Sequence, residues 1–420
     1  MSAPAESPTV VPHAPARTPA PDAAPRSPAA RVLLGLAAGD AAGWPAGRHR
    51  AYGMPAWTRR LARELDLFAE QGGVTTLPVP VALNQAPGPL RLGPSDDAEW
   101  AALTAYALLD AVPPDERGVR EALDRHWTAL AAQLTAPHAA QGPHPAPAPD
   151  PDPPGDPHAE PPPAFRARIS VRASLANLAA GLPPPACGHD NPHYFDDAAC
   201  VRAAVLATLH AGAPRAAATL AEFDARYTQD GDGVLGARAV AAAVAAGLGG
   251  ADAEEAVGAA LDELPAGTAI GRAAREALGY ARTAVREDGS AFALVPVLEH
   301  EIVDHVYSYG VAAAETVPVA LALTLAARGR ADAALPAAAC LARVADSAPA
   351  LTGALTGALG SVVPAPWRAA CRWLSGCAVP RLAGTDLLAL AARLDALVPG
   401  PLPDTTTAPP AGAGKDGTPS

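Results

Sequence analysis

Apolar residues recur along this chain at helical spacing, three and four positions apart, with Gly or Pro closing most of the runs. The pattern predicts helices over residues 30–41, 97–111, 117–134, 198–211, 216–227, 237–246, 252–263 and 270–287. It predicts more over 295–307, 316–328, 331–343, 350–360, 366–375 and 384–397. The stretch "TTLPVPVAL" at 75–83 is extended, but its prolines remove ladder donors, so it reads as a loop. No strand–helix alternation and no internal repeat is visible. The expected fold is all-α, a large helical bundle.

Three stretches lack this pattern: the Pro/Ala-rich start to about residue 28, an internal segment at 136–163, and the tail after about 403. Each is too rich in proline to bury a core and is expected to be disordered. Similar helical patterns flank the internal stretch. It therefore reads as a decorated loop within one domain spanning 29–400, with a linker as the alternative.

Composition narrows the choice of partner. Hydrophobic residues make up 50% of the 420, but aromatics only 4%, so the helices must pack through small side chains. The net charge is −12, with no basic tract, which argues against general nucleic-acid binding. The five cysteines form no C-x-x-C pair and read as reduced thiols of a cytoplasmic protein. The N-terminus lacks the apolar core of a signal peptide. The uncharged run at 349–366 carries a Gly353-x-x-x-Gly357 spacing, but Ala, Thr and Pro make it a close-packed core helix rather than a membrane span.

Candidate chemistry begins at "SDDAEW". Asp96 and Asp97 follow Ser95 at the start of a helix pattern, and Asp96 with Glu99 has the spacing of a capping box. Asp346 and Ser347 repeat the carboxylate–hydroxyl pair before a Gly-rich helix. Two such termini facing each other would line a cleft with hard oxygen ligands suited to Mg²⁺. "CGHDNPHYFDD" concentrates His189, Asp190, Asn191, His193, Asp196 and Asp197; it is either a self-satisfied turn or a polar wall. "TQDGDGVLGARA" has Thr228 and Ala239 where a calcium loop needs acids, so it reads as a turn before a helix. In "HEIVDH" the histidines, His300 and His305, are five apart and share no helix face.

Five motifs in order resemble those of the ADP-ribosylglycohydrolase family. They are "LLGLAAGDAAGWP", "SDDAEW", "FDDAACVRAA", "HVYSYGVAAAETVPVALAL" and "ADSAPALTGALTGALG", spread over 31–397. The resemblance implies an all-α fold and hydrolysis of an ADP-ribosyl bond at the ribose anomeric carbon, on a protein or small-molecule conjugate. It implies metal ligands Ser95, Asp96, Asp97, Asp346 and Ser347, with Asp96 or Asp97 orienting or deprotonating a metal-bound water. It implies substrate contacts from His189, Asp190, Asn191, Asp196, Asp197, Arg202, Tyr309 and Gly310, and gives Asp40 a structural role beneath the first glycine turn.

The departures from the family pattern are specific. Val344 stands at one metal carboxylate, Gly47 at the flap acid, Asp197 at the usual asparagine and Ala198 at the usual glycine. Like charges of two ions need carboxylates between them. One Mg²⁺, or Mn²⁺, with a second ion weak or absent, is therefore the expectation. A relative that binds ADP-ribose without catalysis is the alternative.

Overall fold

The computed structural model describes residues 27–44, 93–135, 164–287, 289–305 and 310–397. The proline-rich stretches, Tyr309, Gly47 and the loop at 75–83 lie outside them. The described helices are α1 (Pro28–Gly43), α2 (Asp96–Leu109), α3 (Glu116–Thr135), α4 (Ile169–Ala179) and α5 (Ala186–His189). They continue with α6 (Ala198–Leu206), α7 (Pro214–Ala225), α8 (Asp232–Leu248), α9 (Ala253–Asp262) and α10 (Ala269–Arg286). The last are α11 (Val295–Glu301), α12 (Ala313–Ala326), α13 (Ala331–Ala339), α14 (Ala348–Ala358), α15 (Ala365–Cys371) and α16 (Leu387–Asp395). Among the described residues no strand forms, only two isolated bridges, so the fold is all-α. Buried apolar residues from Ala29 to Leu394 join one contiguous core. No described helix is long and apolar enough to cross a membrane.

Helix α1 is buried on every side from Ala29 to Gly43, apart from the half-buried Arg31, and α14 is buried throughout. Such helices are apolar all round because they form the centre of a large domain. Their glycines let the two backbones touch. A Cβ on Gly35 would lie 2.1 Å from the Gly353 carbonyl oxygen, and one on Gly353 would lie 1.9 Å from that of Gly35. Gly39 meets the Pro349 carbonyl, Gly43 that of Ala345 and Gly357 that of Arg31. Partner numbers fall on one helix as they rise on the other, so the helices cross antiparallel. The C-terminal end of α1 is thereby held beside the N-terminus of α14.

The same end of α1 also holds the N-terminus of α2. The Asp40 carboxylate accepts the Ser95 and Ala98 amides at 2.7 and 3.0 Å, and the Ser95 hydroxyl at 2.5 Å. The cap of α2 therefore comes from another helix, and the capping box expected of Asp96 and Glu99 is not formed. Glu99 instead accepts the backbone amides of Cys377, Ala378 and Val379 at 2.7–2.9 Å. Two helix N-termini, those of α2 and α14, thus converge at one end of α1. Both favour carboxylates in their first turn or at the residue before it.

Candidate active site

Asp97 on α2 and Asp346 and Ser347 at the entry to α14 are 2%, 2% and 0% exposed. Asp197, fully buried, stands before α6 and joins them, its backbone amide held by the Val311 carbonyl at 2.9 Å. A side chain absent from every motif above fills the space between these groups. The Arg168 Nη2 donates to Asp97 Oδ1 at 2.9 Å, Asp346 Oδ2 at 3.3 Å and Ser347 Oγ at 2.6 Å. Its Nη1 donates to Asp197 Oδ1, which also accepts from the Ser347 hydroxyl at 3.3 Å. One guanidinium therefore faces three carboxylates and a hydroxyl in a nearly dry cup.

The cup is short of positive charge. Asp97 Oδ2 and Asp197 Oδ2 are buried and have no hydrogen-bond partner among the described residues. Burial pushes the Asp97 carboxyl well above the ordinary carboxylate range; Arg168 opposes this, and Asp96, Asp40 and Asp346 add to it. Burial likewise lifts Asp197 to about 6, against the pull of Arg168. For Arg168 itself burial disfavours the charge, but Asp97, Asp197 and Asp346 outweigh it, and the guanidinium is held even more firmly protonated than usual.

A short strap delivers this arginine. Residues 164–168 lead into α4 without helix, and Arg168, with extended backbone, is the residue before its first turn. Phe165 sets its ring edge-on to Trp100 of α2 at 5.9 Å, and the Arg166 amide donates to the Ala378 carbonyl at 2.6 Å. Ala378 is itself held by Glu99 of α2. The strap is thus fastened twice to the helix that carries Asp97. The hydrophobic pattern did not reveal α4, because its polar residues interrupt the spacing directly after a proline-rich run. A lone arginine there carries no motif. The available signal was a carboxylate excess in a chain whose positive charge is almost all arginine.

The remaining expected residues fall in three places. Ser95 turns to Asp40, and Asp96 lies close enough to raise the field at Asp97 without bonding Arg168. Arg202 is 1% exposed: it donates to Asp224 Oδ2 at 2.8 Å, to the Ala198 carbonyl and to Thr228 Oγ1, and lies over the Trp127 ring. Asn191 is also buried, donating to Ser174 Oγ and to the Gly188 and Thr228 carbonyls. These two form scaffold rather than exposed surface. Asp196 is buried and accepts from the Ala198 amide and from Gln229. Gly310 has φ +79° and abuts the Arg343 carbonyl, a backbone turn that only glycine fits. His189 and Asp190 are exposed; the His189 ring lies 6.4 Å from that of Tyr194, which is 42% exposed, and His189 pairs with Asp230. His300 and His305 stand on the surface.

The ADP-ribosylglycohydrolase family model matches residues 21–401. The chain belongs to the ADP-ribosylglycohydrolase family. A solved structure described as an ADP-ribosylglycohydrolase-related protein complex is similar to it at 18% identity, covering 88% of this chain and 98% of the other, with a TM-score of 0.49. No curated protein matches.

An ADP-ribosylglycohydrolase of the expected kind would place Mg²⁺ among these oxygens. The donor chemistry suits it, but the arrangement does not. Three carboxylates direct an oxygen each at a guanidinium, where an ion would need them at about 2.1 Å from its own centre. Among the described residues no group of three or more His, Cys, Asp or Glu is arranged to hold a metal ion.

Proposed function

We propose that this family member binds an ADP-ribosyl group without hydrolysing it, and that the observation carrying this reading is Arg168 bonded to Asp97, Asp197 and Asp346. Water attack at the ribose anomeric carbon needs a group that holds and deprotonates the water. A guanidinium supplies charge but has no acceptor and no open coordination position, so it cannot generate hydroxide as a metal does. Of the two carboxylates expected to act as base, Asp97 is bonded to it through one oxygen.

Binding is a different matter. Asp97 Oδ2 is a buried acceptor without a donor among the described residues, and ribose hydroxyls are donors. The exposed Tyr194 ring, with His189 and Asp230 beside it, offers a stacking face with polar tips for the base. The ligand would be an ADP-ribosylated protein or a small ADP-ribose conjugate, the class the family suggests.

Calorimetric titration with ADP-ribose in EDTA, paired with a release assay on ADP-ribosylated protein in Mg²⁺ or Mn²⁺, tests this. Binding that ignores EDTA and no release above background are expected. Metal-dependent release would overturn the reading in favour of a hydrolase with a metal-bound water. No binding would leave a purely structural relative.

A further inference from the structure

We infer that Arg168 is the resident cation of the carboxylate cup, standing where a divalent ion would otherwise bind and keeping such ions out. The inference rests on the metal-independent reading above and gives the physical reason for it. Three observations support it. The guanidinium contacts every carboxylate of the cup and its hydroxyl, so an ion cannot take those oxygens while Arg168 stays. The strap is pinned by Phe165 against Trp100 and by Arg166 to Ala378, so the arginine is built into place rather than carried on a free side chain. Two buried carboxylate oxygens, on Asp97 and Asp197, keep acceptor capacity that the guanidinium leaves unused. One positive charge against three carboxylates marks a cup that suits a cation of higher charge than the one it holds.

Take Arg168 away and the cup becomes three buried carboxylates with a hydroxyl and no counter-charge. Such a set is unstable empty and matches the hard-oxygen demand of a divalent ion. The arginine and the ion are thus alternative occupants. Phe165 is a positioning residue: it touches no ligand but fixes where the guanidinium lies.

The test is Mn²⁺ binding followed by the electron paramagnetic resonance signal of the free ion, with the full chain and no nucleotide. Wild type should leave Mn²⁺ free at about 1 mM, whereas Arg168→Gln should bind one ion at least about tenfold more tightly. Arg168→Lys, which keeps the charge, should still exclude it. Arg168→Gln/Asp346→Asn should lose the ion again. Phe165→Ala should give intermediate binding with Arg168 intact, a result that a purely structural loss of packing would not produce. If Arg168→Gln unfolds alone, recovery of its circular dichroism on adding Mn²⁺ supports the inference. Failure to recover overturns it. Wild-type binding as tight as that of Arg168→Gln, or no binding by folded Arg168→Gln, also overturns it. Because nucleotide is absent, failure of ADP-ribose binding leaves this inference standing, and failure here leaves that binding to its own assay.

Discussion

Arg168→Met removes the guanidinium while keeping most of the side chain's apolar volume. Asp97, Asp197 and Asp346 then face one another with side chains at most 3% exposed, where solvent cannot screen them. Breaking a buried ion pair by removing one partner costs about 3–5 kcal/mol. Arg168 is 11% exposed and serves three partners at once, so a loss in that range is expected. Set against a total stability of about 5–15 kcal/mol, it is a large fraction. Urea denaturation followed by circular dichroism reads it directly. A double-mutant cycle with Asp197→Asn separates the ion pairs from general packing. Alone, Asp197→Asn removes one partner of the guanidinium but also a carboxylate that burial disfavours, so it costs less than Arg168→Met. In the Arg168→Met background it removes one of three carboxyls left buried without a counter-charge and restores stability. The coupling should reach about 1–3 kcal/mol. A loss below about 0.5 kcal/mol for Arg168→Met, or simple additivity in the cycle, would refute the guanidinium-centred cup.

Gly353→Ala places a methyl 1.9 Å from the Gly35 carbonyl and should lower stability by about 1–3 kcal/mol despite a gain of about 1 kcal/mol in helix propensity; Gly258→Ala on α9, with open space around it, should be neutral or stabilising by thermal denaturation. His126 on α3 is held down to about 4 by burial, against the pull of Asp224, so it adds nothing to the pH dependence above about 6.5. As pH falls from there toward 4 the unfolded chain takes the proton first and stability drops, by up to about 3 kcal/mol; urea titrations at stepped pH should show this drop removed in His126→Asn. Glu99→Gln weakens charge-assisted bonds to three amides and should cost about 2–3 kcal/mol, with faster hydrogen exchange confined to residues 377–379 and the strap.

Most of the fold was legible because helical spacing survives an alanine-rich composition. The Gly353-x-x-x-Gly357 spacing announced a close-packed core helix, and α14 is one, packed against α1. Helix ends were less legible. The 198–211 pattern ends as an α-helix at Leu206 and continues as a tighter 3-10 turn to His210, and the 331–343 pattern stops at Ala339. These tails are apolar for burial rather than for helix, and spacing cannot tell the two apart. In the site, motif order was enough to single out Asp97, Asp197, Asp346 and Ser347, which the fold brings together. It could not supply Arg168, because the pairing depends on where a strap crosses the bundle. Nor could it show that Arg202 faces Asp224 and Trp127, since an arginine in a helix pattern gives no sign of which neighbour receives it.

The central claim is that a guanidinium, and no ion, sits among these carboxylates. Crystals of the wild-type chain grown in MnCl₂ and measured at the manganese absorption edge test it most directly. No anomalous peak is expected between Asp97 and Asp346, with continuous density for the Arg168 guanidinium bonded to both. A manganese peak at that position, with Arg168 turned out of the cup, would contradict it.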